Sequence, residues 1–206
     1  MFALVEPRLR DINPAPVWHP ATAWRESATP NLHSRVLIAP GVGGDARRAW
    51  GAKKFQSVAA SLRERGASVT WIEGPGDQAH LDGVPADGDH PRLRFGSEDL
   101  PKLIETLSQA DLLLCHDTAY VHLAAGVGVP TVAIYGAGQN ARFHPTSGRV
   151  KIVQSEIACG GCQWHCLFDH LVCVADIPVA AVLTAAQQLL AGDFSPVTVA
   201  LSTPLA

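Results

Sequence analysis

Asp111-Leu-Leu-Leu-Cys-His-Asp117-Thr118-Ala119-Tyr120-Val-His122-Leu-Ala-Ala-Gly126-Val-Gly128-Val-Pro130-Thr-Val-Ala-Ile-Tyr135-Gly136 holds two short apolar runs, Leu112 to Cys115 and Thr131 to Tyr135, on either side of a helix-sized segment. Strands covered on both faces of a parallel sheet read this way, because neither face calls for polar residues. Strand, polar turn, helix, strand is a βαβ unit, and it predicts an α/β protein. In such units ligands bind at the carboxyl ends of the strands, where the following helix presents free N–H groups and the positive end of its dipole. Asp117, Thr118 and His122 cluster at that point.

Working outward, the run from Arg35 to Ala39 reads as the first strand and leads straight into Pro40-Gly41-Val42-Gly43-Gly44-Asp45. Its glycines would let backbone N–H groups approach a phosphate. The turn is neither a Walker loop nor a full dinucleotide fingerprint, so a plain tight turn stays open as a reading. Phe55, Val58, Ala59 and Leu62 recur at helical spacing before a stop at Arg65-Gly66. Ser68 to Ile72 supplies a second strand, followed by the acidic loop Glu73-Gly74-Pro75-Gly76-Asp77. Residues 80–92 read as a surface loop and 93–95 as a short strand. Ser97 to Asp99 offer an N-cap and first-turn acids to a helix carrying Leu100, Leu103, Ile104 and Leu107. Val150 to Gln154 make a last strand, and a final helix runs from about Val179 to Ala191.

This alternation predicts a three-layer Rossmann-like sandwich with a mostly parallel sheet, and right-handed crossovers place the loops after the strands on one edge. Gly41 to Arg48, Glu73 to Asp77, Asp117 to His122 and Gly136 to Arg142 are then expected to line one crevice. The domain covers 35–192. A proline-rich arm or linker, 1–34, precedes it, and a tail, 193–206, follows.

The 206 residues, 47% hydrophobic, suffice for one ordinary core. Charged residues make up 17% and the net charge is −3, which leaves no global basic field for nucleic acid. No stretch approaches the ~20 apolar residues that cross a bilayer, and the N-terminus lacks a signal-like apolar region. A cytoplasmic protein, peripheral at the inner membrane, is expected.

The residues of the crevice each admit two readings. Asp117 and Thr118 at a helix start can be mere caps or can meet a ligand. His122, one turn beyond Thr118, can face the same ligand or be structural. Arg47 and Arg48 can clamp phosphate oxygens or be solvated cations.

Taken together, Pro40-Gly41-Val42-Gly43-Gly44 with Arg48 and Trp50, then Gly74-Pro75-Gly76-Asp77, then the run from Leu113 to Gly136, resemble the C-terminal half of family 9 glycosyltransferases, the lipopolysaccharide heptosyltransferases. The resemblance covers roughly residues 35 to 190. It implies one half of a GT-B enzyme, binding a nucleotide-diphosphate sugar, ADP-heptose foremost, for transfer to a lipopolysaccharide or other envelope glycan acceptor. By the same resemblance Asp117, Thr118, Ala119, Tyr120 and His122 contact the donor diphosphate and sugar, with Gly41, Gly43 and Gly44 in the facing turn. Arg48 stands where the family has a phosphate-binding lysine, and Asp77, with Glu73 second, would meet donor hydroxyls. Ala119 and Tyr120 depart from the family's glycine-containing turn. The family's general base lies in an N-terminal acceptor-binding domain, in whose place the chain has its short arm. The catalytic residue is therefore unknown here, and an acceptor-domain partner chain or a second copy is expected. A noncatalytic nucleotide- or protein-binding module is the alternative.

Four of five cysteines fall in a Cys-rich insert, 159–173: Cys159, Cys162, Cys166 and Cys173. The spacing allows one tetrahedral zinc, with His165 or His170 as substitutes. Reduced thiols, a disulfide or an iron–sulfur cluster stay open. Sugar transfer itself needs no cofactor in this reading. Cys115, inside a strand, is expected to be a small buried hydrophobe.

Overall fold

The computed structural model describes residues 33–139, 141–166, 168 and 170–195. The expected arm and nearly all of the expected tail lie outside the described residues.

Six strands form one sheet, all parallel: β1 (Arg35–Ala39), β2 (Ser68–Glu73), β3 (Arg92–Arg94), β4 (Leu112–His116), β5 (Thr131–Tyr135) and β6 (Val150–Gln154). Their order across the sheet is β3-β2-β1-β4-β5-β6. The helices are α1 (Ala52–Arg63), α2 (Leu100–Ser108), α3 (Ala119–Val127), α4 (Val172–Ala175) and α5 (Val179–Leu190).

The period-2 geometry of strands divides the core in two. Val36, Ile38, Leu112 and Leu114 face one side, where Phe55, Val58 and Leu62 of α1 and Val182, Ala185 and Leu189 of α5 cover them. Leu37, Ala39, Leu113 and Cys115 face the other, under Leu103 and Leu107 of α2 and Val121 and Ala124 of α3. Every residue of β4 and β5 is buried, which is why their sequences are unbroken apolar runs. Cys115 is fully buried, as expected of a small hydrophobe.

Two local expectations are corrected. The third strand is Arg92–Arg94, one residue earlier than read, because Ile72 pairs with Leu93 while Phe95 turns into the core. Ser97–Asp99 form a 3-10 turn ahead of α2, and the cap is Asp99 reaching back: its Oδ2 accepts the Gly96 N–H at 2.8 Å. No helix among the described residues is long and apolar enough to cross a membrane.

What matters for function is the centre of the sheet. The strand order reverses between β1 and β4, which pair in register from Val36↔Leu112 to Ala39↔Cys115. Helices leave the two strands toward opposite faces, so their exit loops diverge and leave a crevice at the carboxyl edge.

Candidate functional site

The crevice is held together by a residue that ends β4. His116 is 3% exposed, and its ring binds the loop after β1 on both sides. The Trp50 N–H donates to its Nε2 at 2.9 Å, which places the ring proton on Nδ1, where it is donated to the Gly41 carbonyl at 3.1 Å. Trp50 is anchored in turn by its indole N–H on the Ile177 carbonyl, 2.7 Å. Burial pushes the His116 pKa down to about 4, so the ring is neutral at ordinary pH. His116 is a fastener between the two central strands.

On this frame Val42, Arg48, His116, Asp117, Ile134, Gly136 and Trp164 line a cleft. The space left between them is ≈ 10 Å³, about what one water requires. Arg48 ends a 3-10 turn, Ala46–Arg48, that Asp45 caps by accepting the Arg47 N–H at 3.0 Å. Arg48 Nη2 makes only long bonds, 3.4 Å to the Val42 carbonyl and 3.3 Å to that of Gly43, and its Nε is buried without a partner. Arg47, by contrast, is spent on Asp45, 2.7 Å away.

Asp117 follows β4 directly, its N–H on the Ile134 carbonyl at 3.2 Å. Burial raises its pKa above the usual carboxylate value, while the Tyr135 hydroxyl, Arg48, His122 and His144 pull it back. Asp117 therefore sits among three cationic or potentially cationic groups. Thr118 occupies the N-cap position of α3 in extended backbone, but its side chain does not cap. Its hydroxyl instead reaches the His116 carbonyl at 3.5 Å, leaving the first N–H groups of α3 without a side-chain acceptor from Thr118. Ala119 and His122 are exposed on that first turn.

The loop after β2 approaches from the side. Asp77 Oδ2 accepts the Gly74 N–H at 3.0 Å, and the carboxylate lies against Gly41 so closely that a Cβ there would fall 2.0 Å from Oδ1. A side chain at 41 would have to push that carboxylate aside. The Tyr120 hydroxyl reaches the same loop, 2.7 Å from where a Gly74 Cβ would stand. Burial, and then Asp77, raise the Tyr120 pKa to about 12. Tyr120 thus spans from α3 to the β2 loop, its side chain outside the residues that line the Arg48–Asp117 cleft. Glu73 is engaged elsewhere: its Oε2 accepts from Arg94 Nε at 3.0 Å and Arg92 Nη1 at 3.4 Å.

The cysteine-rich loop closes the far side. Gly161 N–H donates to the Ala137 carbonyl at 2.8 Å and Gln163 N–H to that of Gly138 at 2.9 Å, docking the loop on the segment after β5. Cys159, Cys162, Cys166 and Cys173 are free thiols. Burial raises the Cys173 pKa, and the other three thiols add to it. Among the described residues no three His, Cys, Asp or Glu side chains gather into a set that could hold a metal. The donor chemistry matches zinc, but the placement of the sulfurs does not.

The structure thus gathers Gly41, Arg48, Asp117 and Thr118 at the switch point, with Gly43 and Gly44 exposed on the adjoining turn at φ 55° and 123°. Asp77 joins through Gly41. Sequence reasoning passed over His116, which was hidden as the polar end of an apolar strand, and Trp164 and His144, which belong to loops without periodicity. His144 packs edge-on to Tyr135, ring centroids 4.6 Å apart, with its Nε2 buried and unpartnered.

Known proteins resemble this chain in sequence and in fold. The family model described as Glycosyltransferase family 9 (heptosyltransferase) matches residues 18–171. Lipooligosaccharide heptosyltransferase 2 of Campylobacter jejuni is 26% identical over 157 residues, 73% of this chain and 49% of that protein. Among solved structures, Escherichia coli ADP-heptose LPS heptosyltransferase II is 18% identical with a TM-score of 0.63, matching 79% of this chain and 48% of its own. The dodecameric, iron-containing E. coli glycosyltransferase TibC, solved also with ADP-D-beta-D-heptose, is 19% identical; in that complex the match has a TM-score of 0.56 and covers 76% of this chain and 45% of the other. The chain spans about half the length of these relatives.

Proposed function

Because the chain belongs to glycosyltransferase family 9, the heptosyltransferases, we propose that its central crevice grips the diphosphate of a nucleotide sugar, with ADP-heptose the first candidate. The observation that carries this reading is the pairing, at one switch point, of an under-used guanidinium with an uncapped helix start: Arg48 lines one cleft with Asp117, the residue that precedes Thr118 and α3. A diphosphate supplies the two things this arrangement lacks, a bidentate anionic partner for Arg48 and an acceptor for the first N–H groups of α3. The relatives named for ADP-heptose or solved with it support the choice of nucleotide and sugar.

The chemistry the crevice can supply is stabilisation of the departing diphosphate. Inverting transfer also needs a base to deprotonate the acceptor hydroxyl. Of the carboxylates near the crevice, Asp77 accepts the Gly74 N–H and Glu73 is held by two arginines, while Asp117 lines the cleft beside Arg48, where the diphosphate and not the acceptor hydroxyl is proposed to sit. In this proposal the base and the lipopolysaccharide or other glycan acceptor are therefore brought by an acceptor-binding domain, a partner chain or a second copy, at the cytoplasmic face of the inner membrane. Transfer requires no cofactor.

The test is calorimetric titration of the purified chain with ADP, ADP-heptose, UDP-sugars and GDP-sugars, with hydrolysis and transfer followed in the same samples. Saturable binding of ADP and ADP-heptose above the other nucleotides is expected. Absence of binding by all of them overturns the proposal, and ADP-heptose binding with no transfer to any glycan, even with an acceptor-domain protein added, favours the noncatalytic reading.

A further inference from the structure

Trp164 is the one large aromatic of the cysteine-rich loop that enters the cleft. Its indole lies on bare backbone: a Cβ at Gly136 would fall 2.7 Å from the ring, and one at Gly138 3.0 Å from it. The Arg48 guanidinium stands over the ring, 5.2 Å from its centroid. The loop reaches this position through two consecutive non-glycine residues in the left-handed region, Gln163 at φ 51° and Trp164 at φ 69°. Such backbone is strained and persists only where surrounding contacts impose it. Here the contact is the seating of the indole, held by the Gly161 and Gln163 bonds to the Ala137 and Gly138 carbonyls.

Arg48 needs such a surface. Its stem crosses the turn without a carboxylate partner among the described residues, its Nη2 bonds are long and its Nε is orphaned. A guanidinium is planar, and its fork meets two phosphate oxygens only in one orientation, whereas an ammonium is a point charge that serves from many. A cation–π contact with an indole face restrains the guanidinium without consuming its N–H groups.

We propose that Trp164 is a positioning residue: its indole, seated on Gly136 and Gly138, orients the Arg48 guanidinium to receive the phosphates of a nucleoside diphosphate. The proposal rests on the diphosphate reading of the crevice and adds to it a role for the cysteine-rich loop, which carries the platform.

The experiment is a double-mutant cycle read by ADP affinity. Trp164→Leu keeps apolar bulk over the glycines but removes the aromatic face, and Trp164→Phe restores one. In the parent chain Trp164→Leu is expected to weaken ADP binding by about 10-fold and Trp164→Phe by about 3-fold or less. In an Arg48→Lys background, where no plane has to be oriented, Trp164→Leu is expected to change affinity by less than about 2-fold. Equal losses in both backgrounds, or none in the parent chain, overturn the positioning role while leaving the diphosphate reading intact. If Trp164→Leu does not fold, as judged by circular dichroism, Trp164→Met, which also lacks an aromatic face, is compared with Trp164→Phe in the two backgrounds and decides in the same way. Failure of the parent chain to bind ADP overturns both.

Discussion

The loops that follow β2 and β4 lie on one edge of the sheet and both carry carboxylates, but they treat them in opposite ways. Glu73 is met by two guanidiniums at 3.0 and 3.4 Å, and Asp77 accepts the Gly74 N–H and packs closely on Gly41. Asp117, beyond β4, has no cation within ion-pair distance among the described residues; it faces Arg48, His122 and His144 at longer range, with its pKa raised by burial. Satisfied charges hold a fold together, whereas incompletely satisfied ones in a cleft are poised for something that is not yet there. The β2 loop reads as the wall of the site and the β4 loop as its working surface.

The largest effect is expected where wall and working frame touch. Gly41→Ala forces a Cβ into the Asp77 carboxylate and is expected to cost ~3 kcal/mol or more of stability in urea unfolding. Gly126→Ala, on α3 with nothing within 4 Å of the added carbon, is the control and is expected to be neutral or stabilising by ~0.5 kcal/mol. Next comes the fastener. The folded pKa of His116, about 4, lies below the ordinary 6.5, so its contribution is fully present above pH 6.5 and is lost as pH falls toward 4. Integrated over that window the loss is roughly 3 kcal/mol, and His116→Asn is expected to flatten the pH dependence of unfolding by that amount.

Smaller still in stability, but decisive for the comparison, is the charge pair of opposite fates. Arg48→Ala is expected to weaken ADP by about 10- to 100-fold with little change in Tm, since hydrogen bonds to charged groups are worth ~1.5–3 kcal/mol and this one is made to the ligand. His122→Ala, on the exposed first turn of α3, is expected to act in the same direction by about 3- to 10-fold. Glu73→Gln should do the reverse, lowering stability by ~1 kcal/mol and leaving ADP affinity unchanged. A Glu73→Gln variant that loses affinity as Arg48→Ala does would erase the distinction between wall and working surface.

The fold was largely legible. Leu112 to Cys115 and Thr131 to Tyr135 are apolar at consecutive positions because both faces of the central strands are covered, and no other common structure produces runs so short and so uninterrupted. The placement of the candidate residues was legible where they sit next to regular elements: Arg48, Asp117 and Thr118 are positioned by the strand ends and the switch point. It was illegible where tertiary contact decides. The Tyr120 hydroxyl reaches the β2 loop, where Gly74 leaves room for it, a contact that residue type alone does not announce. Trp164 reaches the cleft through a left-handed backbone that no propensity predicts for glutamine and tryptophan. Ser97 reads as a cap by residue type, but the chain turns one residue earlier and Asp99 takes the role.

The central claim, that the switch-point crevice between β1 and β4 receives a diphosphate, is tested most directly by a crystal structure of the chain grown with ADP. The account predicts both phosphates at the start of α3, with oxygens within hydrogen-bond distance of Arg48 and of backbone N–H groups in the first turn from Ala119. Phosphates bound away from Arg48, or an unchanged crevice at saturating ADP, would contradict it.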